Sequence, residues 1–132
     1  MQPAAHDIVR ERAANRCEYC GLDQKYSDLA HQVQFVVSQK QQGSDHPDNL
    51  ALACHRCTLR KGPNLTGVDP ERGDPVPLYH PRWDHWSNHF VLHGARIEGT
   101  SPVGRATVFA LGLNDARRVE LRAELLARGV LA

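Results

Sequence analysis

The chain has 132 residues, 41% of them apolar, enough for one modest hydrophobic core and too few for two independent ones. A formal net charge of +1 and a pI near 7.8 exclude the overall basic excess of dedicated nucleic-acid binders, so any basic patch is local. The N-terminal MQPAAHDIVRERAANR is charged throughout without an apolar h-region, and no run is long enough to span a bilayer, so a soluble cytoplasmic protein without membrane partners is expected.

Along the chain, Ala5, Ile8, Val9 and Ala13 fall on one face of residues 4–15, with Arg10, Glu11 and Arg12 mostly opposite, which predicts a first amphipathic helix. It leads into Cys17-Glu18-Tyr19-Cys20-Gly21, a turn whose glycine suits a tight knuckle with backbone amides aimed at sulfur. Val33, Phe35 and Val37 alternate with Gln32, Gln34 and Ser38 as in a strand. Residues 39–48 read as a polar loop, and Asn49 opens the run NLALAC, which can return as the second strand of a hairpin and reach Cys54. HRCTLRK then has the length of a short helix ended by Gly62 and Pro63.

Residues 62–82 hold five of the eight prolines and three glycines, so an irregular loop is expected, anchored by Leu65, Val68, Val76, Leu78 and Tyr79. HFVLHGARIEG predicts a hairpin turning at His93-Gly94, and Ser101-Pro102 a helix start. The last helix carries a stripe of Ala116, Val119, Ala123 and Leu126, with Asn114 or Asp115 to cap it and Gly129 to end it. There is no internal repeat or low-complexity tract.

Four cysteines in two CxxC pairs, Cys17/Cys20 and Cys54/Cys57, lie 33 residues apart. Each pair can put two thiolates on one side of an ion, so the expected cofactor is one structural zinc in a closed tetrahedral sulfur shell. Buried or redox-active cysteines are the alternative.

RAANRCEYCG, followed by GSDHPDNLALACHRCTLRKGPNLTG, closely resembles HNH endonuclease-family proteins of the zinc-containing ββα-metal type. The resemblance continues through DPERGDPVPLYHPRWDHWSNHF and GRATVFALGLNDARRVELRAEL, which look like the C-terminal extension of a small standalone group of that family. It implies an α+β fold within a single domain, 1–132. A zinc-stapled ββα core with its N-terminal helix would occupy 1–62, and an extension of a hairpin and helices, 63–132, would pack on it.

In active members a strand carries a metal ligand followed at once by the general-base histidine, in a stretch like DHIIP. Here that stretch is QFVVS, which puts Gln34 at the metal-ligand position and Phe35 at the general-base position. Glutamine is a poor magnesium ligand, and phenylalanine has no titratable group. The third motif position, usually asparagine or histidine, is Thr58. Asn49, the middle asparagine, remains, either without a histidine to orient or as a turn residue making local backbone bonds.

The resemblance therefore implies a catalytically degenerate member, a pseudonuclease that keeps a scaffold for DNA or a protein partner, with Arg56, Arg60 and Lys61 as local cations toward phosphate. A second reading is a scaffold reused for a small molecule in an apolar and histidine pocket lined by Val33 and Phe35. A third is an active nuclease with displaced ligands. His31, on the general-base face of the first strand, and His55, beside the cysteines, are the substitute catalytic candidates, next to Asn49. His80, His85, His89 and His93 could form a second metal site or an acid-base cluster, or simply lie on strand and turn positions that never meet.

Overall fold

A computed structural model describes residues 3–130. They form two compact units: residues up to Leu65 together with His80–His85, and Thr66–Tyr79 together with the residues from Trp86 onward. No described helix is long and apolar enough to cross a membrane.

In the first unit, helix α1 (Pro3–Ala13) stops where Ala14 and Asn15 turn left-handed, at φ 54° and 57°, and swing the chain into Cys17. Strands β1 (Gln32–Phe35) and β2 (Leu50–Ala53) pair antiparallel, with Val33 opposite Leu52 and Phe35 opposite Leu50. Residues directly opposite share a face of a hairpin. These four side chains therefore form one apolar surface, which α1 covers with Ala5, Val9 and, at its edge, Ala13. Ile8, expected in the stripe, is half exposed.

The opposite face carries Gln32, Gln34, Ala51 and Ala53. Helix α2 (His55–Lys61) follows β2 after the single residue Cys54, which completes a ββα unit. The free edge of β2 is closed by Glu18: its N–H donates to Leu52 O (2.9 Å), and its carboxylate accepts the Leu52 N–H (2.8 Å). Arg82 pairs with the same carboxylate, and burial, with Arg12 nearby, lowers its guanidinium to about 10, so it stays charged at neutral pH. Two arginines of α1 reach the hairpin ends, Arg10 donating to His31 O (2.7 Å) and Arg12 to Leu50 O (2.7 Å).

The polar connection between β1 and β2 is compact because Asn49 ties it to itself. The Asn49 Oδ1 accepts the Val37 N–H (2.9 Å), and Nδ2 donates to Val37 O (2.9 Å) and Ser44 O (2.6 Å). Gly43 lies so close to this tie that a Cβ there would sit 1.8 Å from Val37 O.

In the second unit the proline-rich stretch, expected to be irregular, contains a hairpin of β3 (Thr66–Val68) and β4 (Pro75–Pro77). Two strands leave each an outer edge, and Pro75 and Pro77, of equal parity, can both turn their missing N–H groups there. Strands β5 (Phe90–His93) and β6 (Arg96–Gly99) turn at Gly94-Ala95, one residue later than expected, with Gly94 at φ 60°, a conformation glycine adopts without strain. Helix α3 (Pro102–Leu111) begins as expected at Ser101, whose hydroxyl accepts the Gly104 N–H (3.0 Å). Its Arg105 makes a two-pronged bond to the fully buried Asp69 (3.0 and 2.8 Å) and holds that carboxyl down to about 2.

Helix α4 (Ala116–Ala127) starts at Asp115, whose side chain makes no capping hydrogen bond to the first turn. Asn114 instead bonds both backbone groups of Ile97 (2.9 and 2.8 Å). The buried face of α4 centres on Leu125 and Arg122, not on Ala116 and Ala123, which are exposed. Arg122 is buried because Ala95 O (2.7 Å) and Leu113 O receive its guanidinium.

Replacing Asn49 with alanine leaves both backbone groups of Val37 without their side-chain partner. The variant should lose about 1–3 kcal/mol of unfolding free energy in urea titrations of metal-loaded protein, since each of these part-buried hydrogen bonds contributes about 0.5–1.5 kcal/mol.

Candidate metal centre and neighbouring cleft

The two CxxC segments fold as matching knuckles. In the first, Cys17 N–H donates to Leu22 O (2.9 Å), Gly21 N–H to Cys17 O (2.8 Å) and Cys20 N–H to Cys17 Sγ (3.5 Å). In the second, Cys57 N–H donates to Cys54 Sγ (3.5 Å), so Cys54 also caps α2. The four sulfurs lie within 4.8 Å of one another, and Cys20 Sγ is 3.7 Å from Cys54 Sγ. A tetrahedron with metal–sulfur bonds of about 2.3 Å has edges of about 3.8 Å, so the spacing fits one ion. Burial pushes the Cys17 thiol up and contact with Cys17 pushes Cys57 up, while Cys54 is pulled down by its contact with Cys17. Four thiolates this close require a cation to compensate them. Four sulfur ligands leave no open coordination position, so the centre is structural in kind.

His31 braces this centre. It is fully buried, and its Nε2–H donates to Leu22 O (2.7 Å), the carbonyl that also accepts the Cys17 amide. Its own backbone N–H goes to the Gln24 side chain. His31 precedes β1 instead of extending it, so the expectation that it points to the general-base face is corrected: its ring sits under the knuckle. His55, the other substitute candidate, is the first residue of α2 and half buried.

The motif positions are dispersed. The Gln34 amide donates to Gln32 Oε1 (3.0 Å). Val33 belongs to the cluster under α1, and the partly buried Phe35 packs against it. The Thr58 hydroxyl is buried with no hydrogen-bond partner among the described residues. Asn49 makes the local backbone bonds described above. Lys61, expected to face phosphate, is buried, its ammonium donating to Val36 O (2.9 Å), and burial lowers its pKa. Arg56 and Arg60 are exposed on α2.

Among the described residues, the cysteines are the one group of three or more His, Cys, Asp or Glu side chains close enough to share an ion. The histidine series does not converge. His80 and His85 belong to the first unit and His89 and His93 to the second, where His89 meets Ser101 (2.6 Å) and His93 meets Glu98 (2.8 Å).

Sequence reasoning missed an open cleft of about 470 Å³ between the Asn49-tied loop and residues 80–84, lined by Val37, Gln42, Ser44, His46, Asp48 and the pair His80 and Trp83. His80 organises its own turn. Its Nδ1 accepts the N–H groups of Arg82 (3.1 Å) and Trp83 (3.3 Å), and its N–H donates to Asp84 Oδ2 (2.9 Å). The two rings stack with centroids 3.9 Å apart and planes 6° from parallel. The signal available in the text was His80-Pro81 followed by Asp84, a turn pattern.

Residues 17–64 match the family model described as HNH endonuclease, a span that runs from the first knuckle through the hairpin and α2. No curated protein and no solved structure matches the chain.

Burial lowers the His80 pKa, with Asp84 opposing the shift and Lys61 adding to it. A histidine with a depressed folded-state pKa takes up its proton more readily in the unfolded chain, so its contribution to stability is full above about 6.5 and lost as pH falls through the folded value. His80→Asn supplies an Oδ1 acceptor for the same N–H groups without titrating. The stability difference between wild type and variant in urea should therefore be constant from about pH 8 to 7 and shift against wild type toward about pH 5.5.

Proposed function

We propose that this protein, whose residues 17–64 match the family model described as HNH endonuclease, is a zinc-stapled HNH scaffold that binds nucleic acid without cutting it by the family's metal-dependent mechanism. The observation that carries the reading is the state of the motif positions. The first holds an amide bonded to its neighbour Gln32, the second a phenylalanine packed in the apolar cluster, and the third a threonine hydroxyl. Phosphodiester hydrolysis by this route needs a divalent ion to stabilise developing charge and a base to form the attacking hydroxide. Gln34, Phe35 and Thr58 provide neither.

Zinc is the assignment for the cysteine centre, because a tetrahedral all-thiolate shell selects zinc or iron and zinc suits a purely structural role. Binding is assigned to α2. Arg56 and Arg60, four residues apart and so on one helical face, both exposed, supply local positive charge in a chain of near-neutral net charge.

The test is one preparation of zinc-loaded protein given two substrates. Supercoiled plasmid with magnesium or manganese should remain unnicked, and a labelled duplex should bind with an affinity that falls as salt rises. Arg56→Ala with Arg60→Ala should weaken that binding and flatten its log–log salt dependence by about 2, near 0.9 for each phosphate no longer neutralised. Magnesium-dependent nicking would overturn the non-cutting assignment; salt-insensitive binding, or failure to bind either duplex or single-stranded DNA, would overturn the nucleic-acid assignment.

A further inference from the structure

The cleft beside Asn49 has one wall built for stacking. Trp83 is 76% exposed, yet one face of its indole is already occupied by the His80 ring at 3.9 Å, and His80 is itself buried. Two backbone N–H groups bonded to the His80 Nδ1, and the His80 N–H bonded to Asp84, fix that ring and the turn carrying the indole. The Arg82–Glu18 ion pair ties the same turn to the first cysteine knuckle. Trp83 is thus a large aromatic surface with one face stacked on a ring that is itself held in place and the rest in water, a ready platform for a planar ligand.

The rest of the cleft is polar. Gln42 and Ser44 come from the loop held by Asn49, and His46 and Asp48 from the turn before β2. These are hydrogen-bonding groups of both senses lining one cleft with an aromatic ring, the combination that can receive the face and edge of a heterocycle. The volume, about 470 Å³, falls in the range of small-molecule sites, but the cleft is open and cannot enclose most of a ligand's surface as such sites do. An occupant that stacks here needs further affinity from elsewhere, which a base on a strand has through its phosphates.

We infer that the His80–Trp83 pair and the Gln42–Ser44 rim form a stacking subsite for an unpaired nucleobase of a single-stranded nucleic acid. The inference rests on the nucleic-acid reading above and deepens it by naming the form of the ligand. A paired base offers only its edge and cannot lie on the indole, so the subsite distinguishes single strands from duplex.

The test uses the whole zinc-loaded chain at one fixed salt concentration and three probes: a labelled oligo(dT) of about 20 nucleotides, a labelled duplex of equal length, and thymidine monophosphate. Trp83→Ala, at an exposed position, should keep the wild-type circular dichroism spectrum. It should weaken oligo(dT) binding about 5- to 150-fold, the range for losing one aromatic–base stack, and change duplex binding by less than about twofold. Trp83→Phe should restore most of the loss. Unchanged oligo(dT) binding by Trp83→Ala, with binding still lost on Arg56→Ala/Arg60→Ala, would overturn the stacking subsite and leave the scaffold reading standing. Failure of the wild type to bind either oligonucleotide would overturn both. Thymidine monophosphate binding as tightly as oligo(dT) would overturn the assignment to a strand.

Discussion

The convergence of four cysteine sulfurs within 4.8 Å of one another, a spacing that could hold one cation, is the constraint on which the first unit depends. The sulfurs come from two knuckles far apart in sequence, and without a positive ion the buried thiols resist ionising together. The apolar cluster that accompanies them consists of Ala5, Val9, Val33, Leu50 and Leu52, with Ala13 and Phe35 at its margin. An ion bound there would supply folding free energy directly. The neighbouring contacts presuppose the knuckles: Glu18 can close the edge of β2 only with the first in place, and Cys54 starts α2 by accepting the Cys57 amide.

The hairpin's parity explains how Gln34 and Phe35 each fit the side of the hairpin on which they lie. Gln34 and Phe35 are adjacent and so lie on opposite faces. Phe35 extends the apolar surface under α1 beside Leu50, and Gln34 lies on the other face, bonded to Gln32. Both side chains suit the packing of their own side. Asn49 is accounted for in the same terms, since its bonds to Val37 and Ser44 hold the loop whatever occupies the neighbouring positions.

Much of this arrangement could be read from the sequence because its causes are local. The spacing within each CxxC pair dictates a knuckle, alternation at Gln32 to Phe35 dictates a strand, and Ser101-Pro102 dictates a helix start. What escaped depends on partners distant in sequence. Nothing around His31 signals that its ring would turn to Leu22 O, or around Lys61 that its ammonium would be buried on Val36 O. Arg122 is a charged residue at a core position because carbonyls of Ala95 and Leu113 await it, a fact invisible in helical periodicity. The cleft was hidden for the same reason: residues 80–85 belong with the cysteine-bearing unit although they follow the proline-rich stretch assigned to the second.

The central claim, that a zinc ion held by Cys17, Cys20, Cys54 and Cys57 stabilises the fold, is tested most directly by native mass spectrometry with elemental analysis, followed by stepwise chelation monitored by circular dichroism. The expected result is one zinc per chain, no visible thiolate–iron absorption, and loss of secondary structure in step with loss of the ion. A metal-free chain with unchanged spectrum and unchanged unfolding midpoint would contradict the account.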